Sequence, residues 1–123
     1  MAKSYADITA EINRGIVKLR QAAPDAMGGF SAMAKGALKE GVLSAVVKEL
    51  IALAIGVASH CDGCIGFHAR SLVRVGATRE QVMEALAVAV YMGGGPSLMY
   101  AADAVHAFDE FVATARAAST APA

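Results

Sequence analysis

The run Ser59-His60-Cys61-Asp62-Gly63-Cys64-Ile65-Gly66-Phe67-His68 holds the only two cysteines of the chain. Two thiols three residues apart can close a disulfide across one turn, the smallest unit of dithiol redox chemistry. Read as the start of a helix at about 100° per residue, the run gathers Cys61, Cys64 and His68 within roughly a 60° arc. One face then presents two sulfurs and an imidazole. The helical reading decides the fold, because the segments on both sides of the run repeat it.

Before the cysteines, Ser44 suits an N-cap for a helix from Ala45 to about Ala58, apolar on nearly all sides apart from Lys48 and Glu49. Further upstream, Ile8, Ile12, Ile16 and Leu19 form one stripe of a helix from about Tyr5 to Ala22. Pro24 then opens a helix to about Leu38, running through Gly28-Gly29. After the cysteines, the helix they open ends near Val75-Gly76, where glycine suits a left-handed cap. Thr78-Arg79-Glu80-Gln81 is a capping box for a helix to about Met92. Gly93-Gly94-Gly95-Pro96 breaks it, and a sixth helix is expected to about Arg116, with Ala117 to Ala123 frayed. No alternating apolar/polar stretch suggests strands. The expected class is all-α, with about six helices. No repeat or linker divides the chain, so residues 1–123 are expected to form a single domain.

Eleven basic residues balance eleven acidic ones, which gives no electrostatic case for nucleic acid or an anionic membrane surface. The N-terminal residues Met1 to Asp7 carry charge and no apolar core, unlike a secretory signal. The longest apolar stretch, Leu50 to Ala58, is far short of the roughly 18 residues a spanning helix needs. A cytoplasmic protein is expected, and there a CxxC is catalytic, redox-sensing or metal-binding sooner than a structural staple. Hydrophobic residues make up 56% of 123. So small a domain cannot hide that much apolar surface alone, and a homo-oligomer is expected.

At the first turn of a helix, free N–H groups and the dipole favour a thiolate, and His68 stands one turn beyond Cys64 as a proton acceptor. The bland reading is two buried cysteines beside a surface histidine. Haem attachment needs histidine where Ile65 stands, and a thioredoxin fold needs strands. A zinc site could use Cys61, Cys64 and His68 but lacks a second ligand pair at the usual spacing. Glu49 has apolar neighbours at Ala45, Val46, Ala52 and Leu53, so it reads as a half-buried carboxylate suited to proton transfer or as half of an ion pair. His60 reads as a local hydrogen-bonding or rim residue. His106 and Tyr91 read as packing or interface residues, and Met27, Met33, Met83, Met92 and Met99 as core filler.

Lys48-Glu49-Leu50-Ile51-Ala52-Leu53-Ala54 followed by Cys61-x-x-Cys64-x-x-x-His68 resembles the core signature of the alkylhydroperoxidase D / carboxymuconolactone decarboxylase family. The glutamate twelve residues before the first cysteine and the histidine four after the second both match, over roughly Gly41 to Gly95. The resemblance implies an all-helical bundle assembled as trimers or hexamers. It implies a peroxidase in which Cys64 attacks the peroxide, Cys61 resolves the sulfenic acid as a Cys61–Cys64 disulfide, and His68 and Glu49 relay protons. It also implies a small-molecule peroxide substrate, a lipoylated or thioredoxin-like dithiol protein as reductant, and no metal, haem or flavin cofactor. Gly63 stands where the alkylhydroperoxidases often have histidine. The cysteine pair argues against the lactone-decarboxylating branch. The competing readings are a redox-sensing or disulfide-exchange protein without peroxide turnover, a helical metal-binding protein, and a carboxymuconolactone decarboxylase-like enzyme.

Overall fold

Side-chain caps at helix starts divide the chain much as the sequence suggests. The structure, a computed structural model, describes residues 3–120. Among them are six α-helices: α1 (Tyr5–Ala22), α2 (Pro24–Leu38), α3 (Ala45–Ala58), α4 (Asp62–Arg74), α5 (Arg79–Gly93) and α6 (Gly95–Thr120). Ser4 caps α1 by accepting the Asp7 amide, and Ser44 caps α3 by accepting the Val47 amide. Thr78 and Gln81 complete the reciprocal capping box of α5. Each satisfies amides that the first helical turn leaves without partners.

Helices α3, α4, α6 and α5 pack in a ring, each against its two neighbours, and α1 lies across the outer side of α4. The core between them is built from Leu53 and Val57 of α3, Ile65 and Leu72 of α4, Leu86 of α5 and Phe108 of α6, with alanines filling the close approaches. From α1, Tyr5 and Thr9 are fully buried. The stripe expected at Ile8, Ile12 and Ile16 is only half-buried, and Leu19 is exposed. Helix α2 touches only α1 and α3 and buries no residue.

Three sequence expectations are corrected. The break after α5 is a single residue, Gly94, whose φ of 77° favours glycine, and Gly93 and Gly95 are helical. Helix α6 runs to Thr120, so Ala117 to Thr120 are helical, while 121–123 lie outside the described residues. The methionines are not core filler. Met33, Met92 and Met99 are exposed, and Met27 and Met83 are half-buried, since the alanine-rich ring leaves little room for long side chains. No helix among the described residues is long and apolar enough to cross a membrane.

Candidate active site

Helix α3 ends in a tight reversal that delivers the chain to α4 within three residues. The amides of Ser59, His60 and Cys61 donate back to the carbonyls of Ile55, Val57 and Gly56 at 2.8, 3.1 and 2.9 Å. His60 takes the left-handed conformation this reversal demands, with φ 55°, a state that costs a non-glycine residue on the order of 1 kcal/mol. Its ring stacks on Tyr100 of α6, with centroids 4.7 Å apart and planes within 5°. His60 therefore fixes the turn through stacking rather than through a side-chain hydrogen bond.

Cys61 is the N-cap of α4, and its Sγ accepts the Cys64 amide at 3.1 Å. The two cysteines are joined as a disulfide, with Cα atoms 5.3 Å apart, and both residues are half-buried. The sulfurs thus sit where the free amides and positive end of the helix favour a negative charge. The spacing works because glycines let neighbouring elements close in. A Cβ on Gly56 would lie 2.9 Å from Cys64 Cβ, so α3 crosses α4 at the cysteine itself. A Cβ on Gly63 would lie 2.8 Å from Ile12 Cδ1, so α1 covers the centre of the CxxC turn. The space a histidine at position 63 would need is filled by Ile12.

On the same α3 face as Gly56, two turns earlier, Glu49 is 7% exposed and 2.6 Å from His68 Nδ1. Glu49 and Gly56 on α3 thus face His68 and Cys64 on α4, two rungs of one antiparallel helix contact. With Nδ1–H donating to the carboxylate, Nε2 carries the lone pair, and it has no hydrogen-bond partner among the described residues. A buried carboxylate that orients an imidazole with a free acceptor nitrogen is equipped to take up and return protons.

The four residues expected to act together, Cys61, Cys64, His68 and Glu49, are brought together at the α3–α4 contact. Tyr91 and His106 are exposed and join no such cluster. His68 is turned towards Glu49, and among the described residues no three His, Cys, Asp or Glu side chains are grouped to hold a metal ion. Two concavities of about 510 and 530 Å3 lie elsewhere, at Arg79–Asp109 and along α1. The sequence reading missed Lys3, Tyr5, Tyr100 and Gly56, whose parts depend on contacts remote in sequence.

The sequence profile of the carboxymuconolactone decarboxylase family matches residues 24–107. An uncharacterized protein of Cupriavidus necator is 50% identical over 99 residues, 80% of this chain and 88% of that one. An uncharacterized protein encoded in the cox locus of Paracoccus denitrificans is 38% identical over 81 residues, 66% of this chain and 73% of that one. The crystal structure of an apo carboxymuconolactone decarboxylase family protein from Legionella pneumophila superposes with a TM-score of 0.86 at 53% identity, covering 87% of this chain and 96% of that one. A family protein of Thermotoga maritima, for which a part in antioxidative response has been suggested, superposes with a TM-score of 0.80 at 25% identity, covering 91% and 96%.

Proposed function

The chain belongs to the carboxymuconolactone decarboxylase family, and from that premise we propose that it is a thiol-dependent peroxidase of the alkylhydroperoxidase D type. The observation that carries the reading is the placement of the Cys61–Cys64 pair at a helix start, across one helix contact from the Glu49–His68 pair. The presence of the cysteine pair argues against the lactone-decarboxylating branch. The suggested antioxidative part of the Thermotoga relative points the same way.

In the proposed cycle the Cys64 thiolate attacks one peroxide oxygen, the O–O bond breaks, and the alcohol leaves with a proton supplied through His68. Cys64 is now a sulfenic acid. The Cys61 thiolate attacks that sulfur, water leaves, and the disulfide forms. His68, held by Glu49, takes up the thiol protons and returns them to the departing oxygens. A lipoylated or thioredoxin-like dithiol then attacks the disulfide and is itself oxidised. Attack at Cys64 releases Cys61 as a thiolate, whose sulfur accepts the Cys64 amide. We further propose that residues 1–123 act as one domain and assemble as a trimer or hexamer.

The half-buried disulfide would also admit a protein thiol, which suits disulfide exchange without peroxide turnover. One experiment separates the two readings. The reduced protein is mixed with hydrogen peroxide or an organic hydroperoxide, and peroxide loss and Cys61–Cys64 bond formation are followed together, with a lipoylated reductant added for turnover. Rapid, stoichiometric bond formation with catalytic peroxide consumption supports the peroxidase. Exchange with the reductant but no peroxide consumption sinks it.

A further inference from the structure

The proposed cycle gives no work to Asp62, although it lies between the two cysteines. Its carboxylate accepts the Tyr5 hydroxyl at 2.8 Å, and the Lys3 ammonium approaches its two oxygens at 3.1 and 3.3 Å. The same ammonium reaches Asp103 of α6 at 2.8 Å and stands 5.3 Å from the centre of the Tyr100 ring, on which His60 stacks. Burial first, and the Asp62 contact second, push the Tyr5 phenol well above its usual range, so it remains a neutral donor. The Asp103 contact, reinforced by Asp62, outweighs burial and keeps Lys3 charged. Lys3, Tyr5 at the start of α1, the first turn of α4 and the middle of α6 thus meet around the Lys3–Asp62 pair, whose carboxylate belongs to the residue between the two cysteines.

A negative charge next to a thiol opposes its ionisation, and a cation on that charge offsets the opposition. We propose that Lys3 and Asp62 act as a pair of opposed charges that set the balance between the Cys61–Cys64 disulfide and its dithiol. They are positioning residues that act through the sulfurs and touch no substrate. The proposal rests on the redox reading of the cysteine pair. The equilibrium it concerns is the disulfide plus two glutathione thiols against two protein thiols plus glutathione disulfide, the reduced side being favoured where one protein thiol ionises. Opposite signs follow for the two charges, a pattern that a merely structural contact does not produce.

The test equilibrates the full chain with glutathione redox buffers at pH 7 and low salt, without peroxide, and quantifies the reduced fraction. D62N is expected to shift the equilibrium about two- to fivefold towards the dithiol, and K3M by a similar factor towards the disulfide, in line with partly exposed charges. The double variant should fall near the parent, K3R should match it, and the shifts should shrink in 1 M salt. Circular dichroism and a melting curve accompany each variant. If K3M fails to fold, K3Q and the salt dependence of D62N carry the comparison. Shifts of the same sign in both single variants, or no shift in either, overturn the proposal. Because no peroxide is present, a protein that shows opposite shifts yet consumes no peroxide loses the peroxidase reading and keeps this one. A peroxidase whose equilibrium ignores both substitutions does the reverse.

Discussion

Glu49 and His68 sit nineteen positions apart and share one short hydrogen bond between a buried carboxylate and a half-buried imidazole. Their partnership separates a proton relay from a structural pair in a way that substitution can read. E49Q keeps the shape of the contact but removes the group that carries a proton. Peroxide turnover is then expected to fall about a hundredfold or more while the melting temperature stays close to the parent. Lost stability with normal turnover would remove Glu49 from the relay. H68A, in a folded variant, should slow peroxide-driven thiol oxidation by about a hundredfold to ten-thousandfold, and an unchanged rate would make the imidazole structural. For the sulfurs, the thiol retained in C61S is expected to alkylate faster at neutral pH than the one retained in C64S. The reverse order would exchange the attacking and resolving roles of Cys64 and Cys61. These four residues were legible in the sequence because three spacings within twenty positions place them on facing helices. Lys3, Tyr5 and Asp62 were not, since their contacts bridge 57 and 59 positions and leave no local period to read. Gly63 was legible only as a missing histidine. Its cause, Ile12 packed over the turn, belongs to tertiary structure.

Helix boundaries were read well where the signal was a cap beside its own helix, as at Ser44 and at Thr78 with Gln81. The start of α1 adds a cap from another helix, and no sequence rule finds it. Glu110 of α6 accepts the amides of Tyr5 and Ala6 at 2.8 and 3.1 Å and the Ser4 hydroxyl at 2.9 Å. Burial pushes the Glu110 carboxyl up, but these three donors together outweigh it and hold the group below its usual 4.5. Because the folded value lies below the unfolded one, the contact stabilises the protein fully above about pH 4.5 and loses its contribution as pH falls through the lower folded value. E110Q should therefore cost about 1 kcal/mol at pH 7, as lost caps do. It should also flatten the acid side of the stability profile, measured by urea unfolding between pH 7 and 3. An acid limb identical to that of the parent would mean that other carboxylates govern it. The far end of α6 was misjudged for a related reason. Alanine-rich sequence with no breaker continues a helix, and Ala117 to Thr120 obey that propensity.

Across the whole molecule, α2 buries nothing, and Phe30 and Met33 on it, Ile51 and Ile55 on α3, and Tyr91 and Met92 on α5 all stand exposed. Composition made the surplus of apolar surface legible. It could not say which side chains carry the surplus, and so the methionines were assigned to a core that is in fact built of alanines, branched aliphatic residues and aromatic rings. A stable homo-oligomer is the expected outcome of light scattering at low micromolar concentration, and a folded monomer would refute it. The cysteine pair has a different consequence at this scale. Its partners are three residues apart, so in the chain-entropy picture the bond restrains the unfolded chain by only about 2 kcal/mol, against about 4.7 for a loop of a hundred residues. Oxidised and reduced protein should then melt within about ten degrees of one another by calorimetry, and a far larger gap would show that the bond braces more than its own turn. By thermodynamic linkage, the fold favours the closed bond by the same amount that the bond favours the fold, about 2 kcal/mol. On the proposed cycle, electrons would enter and leave through Cys61 and Cys64 at a cost of about 2 kcal/mol of fold stability, less than half of what a long-loop disulfide would put at stake.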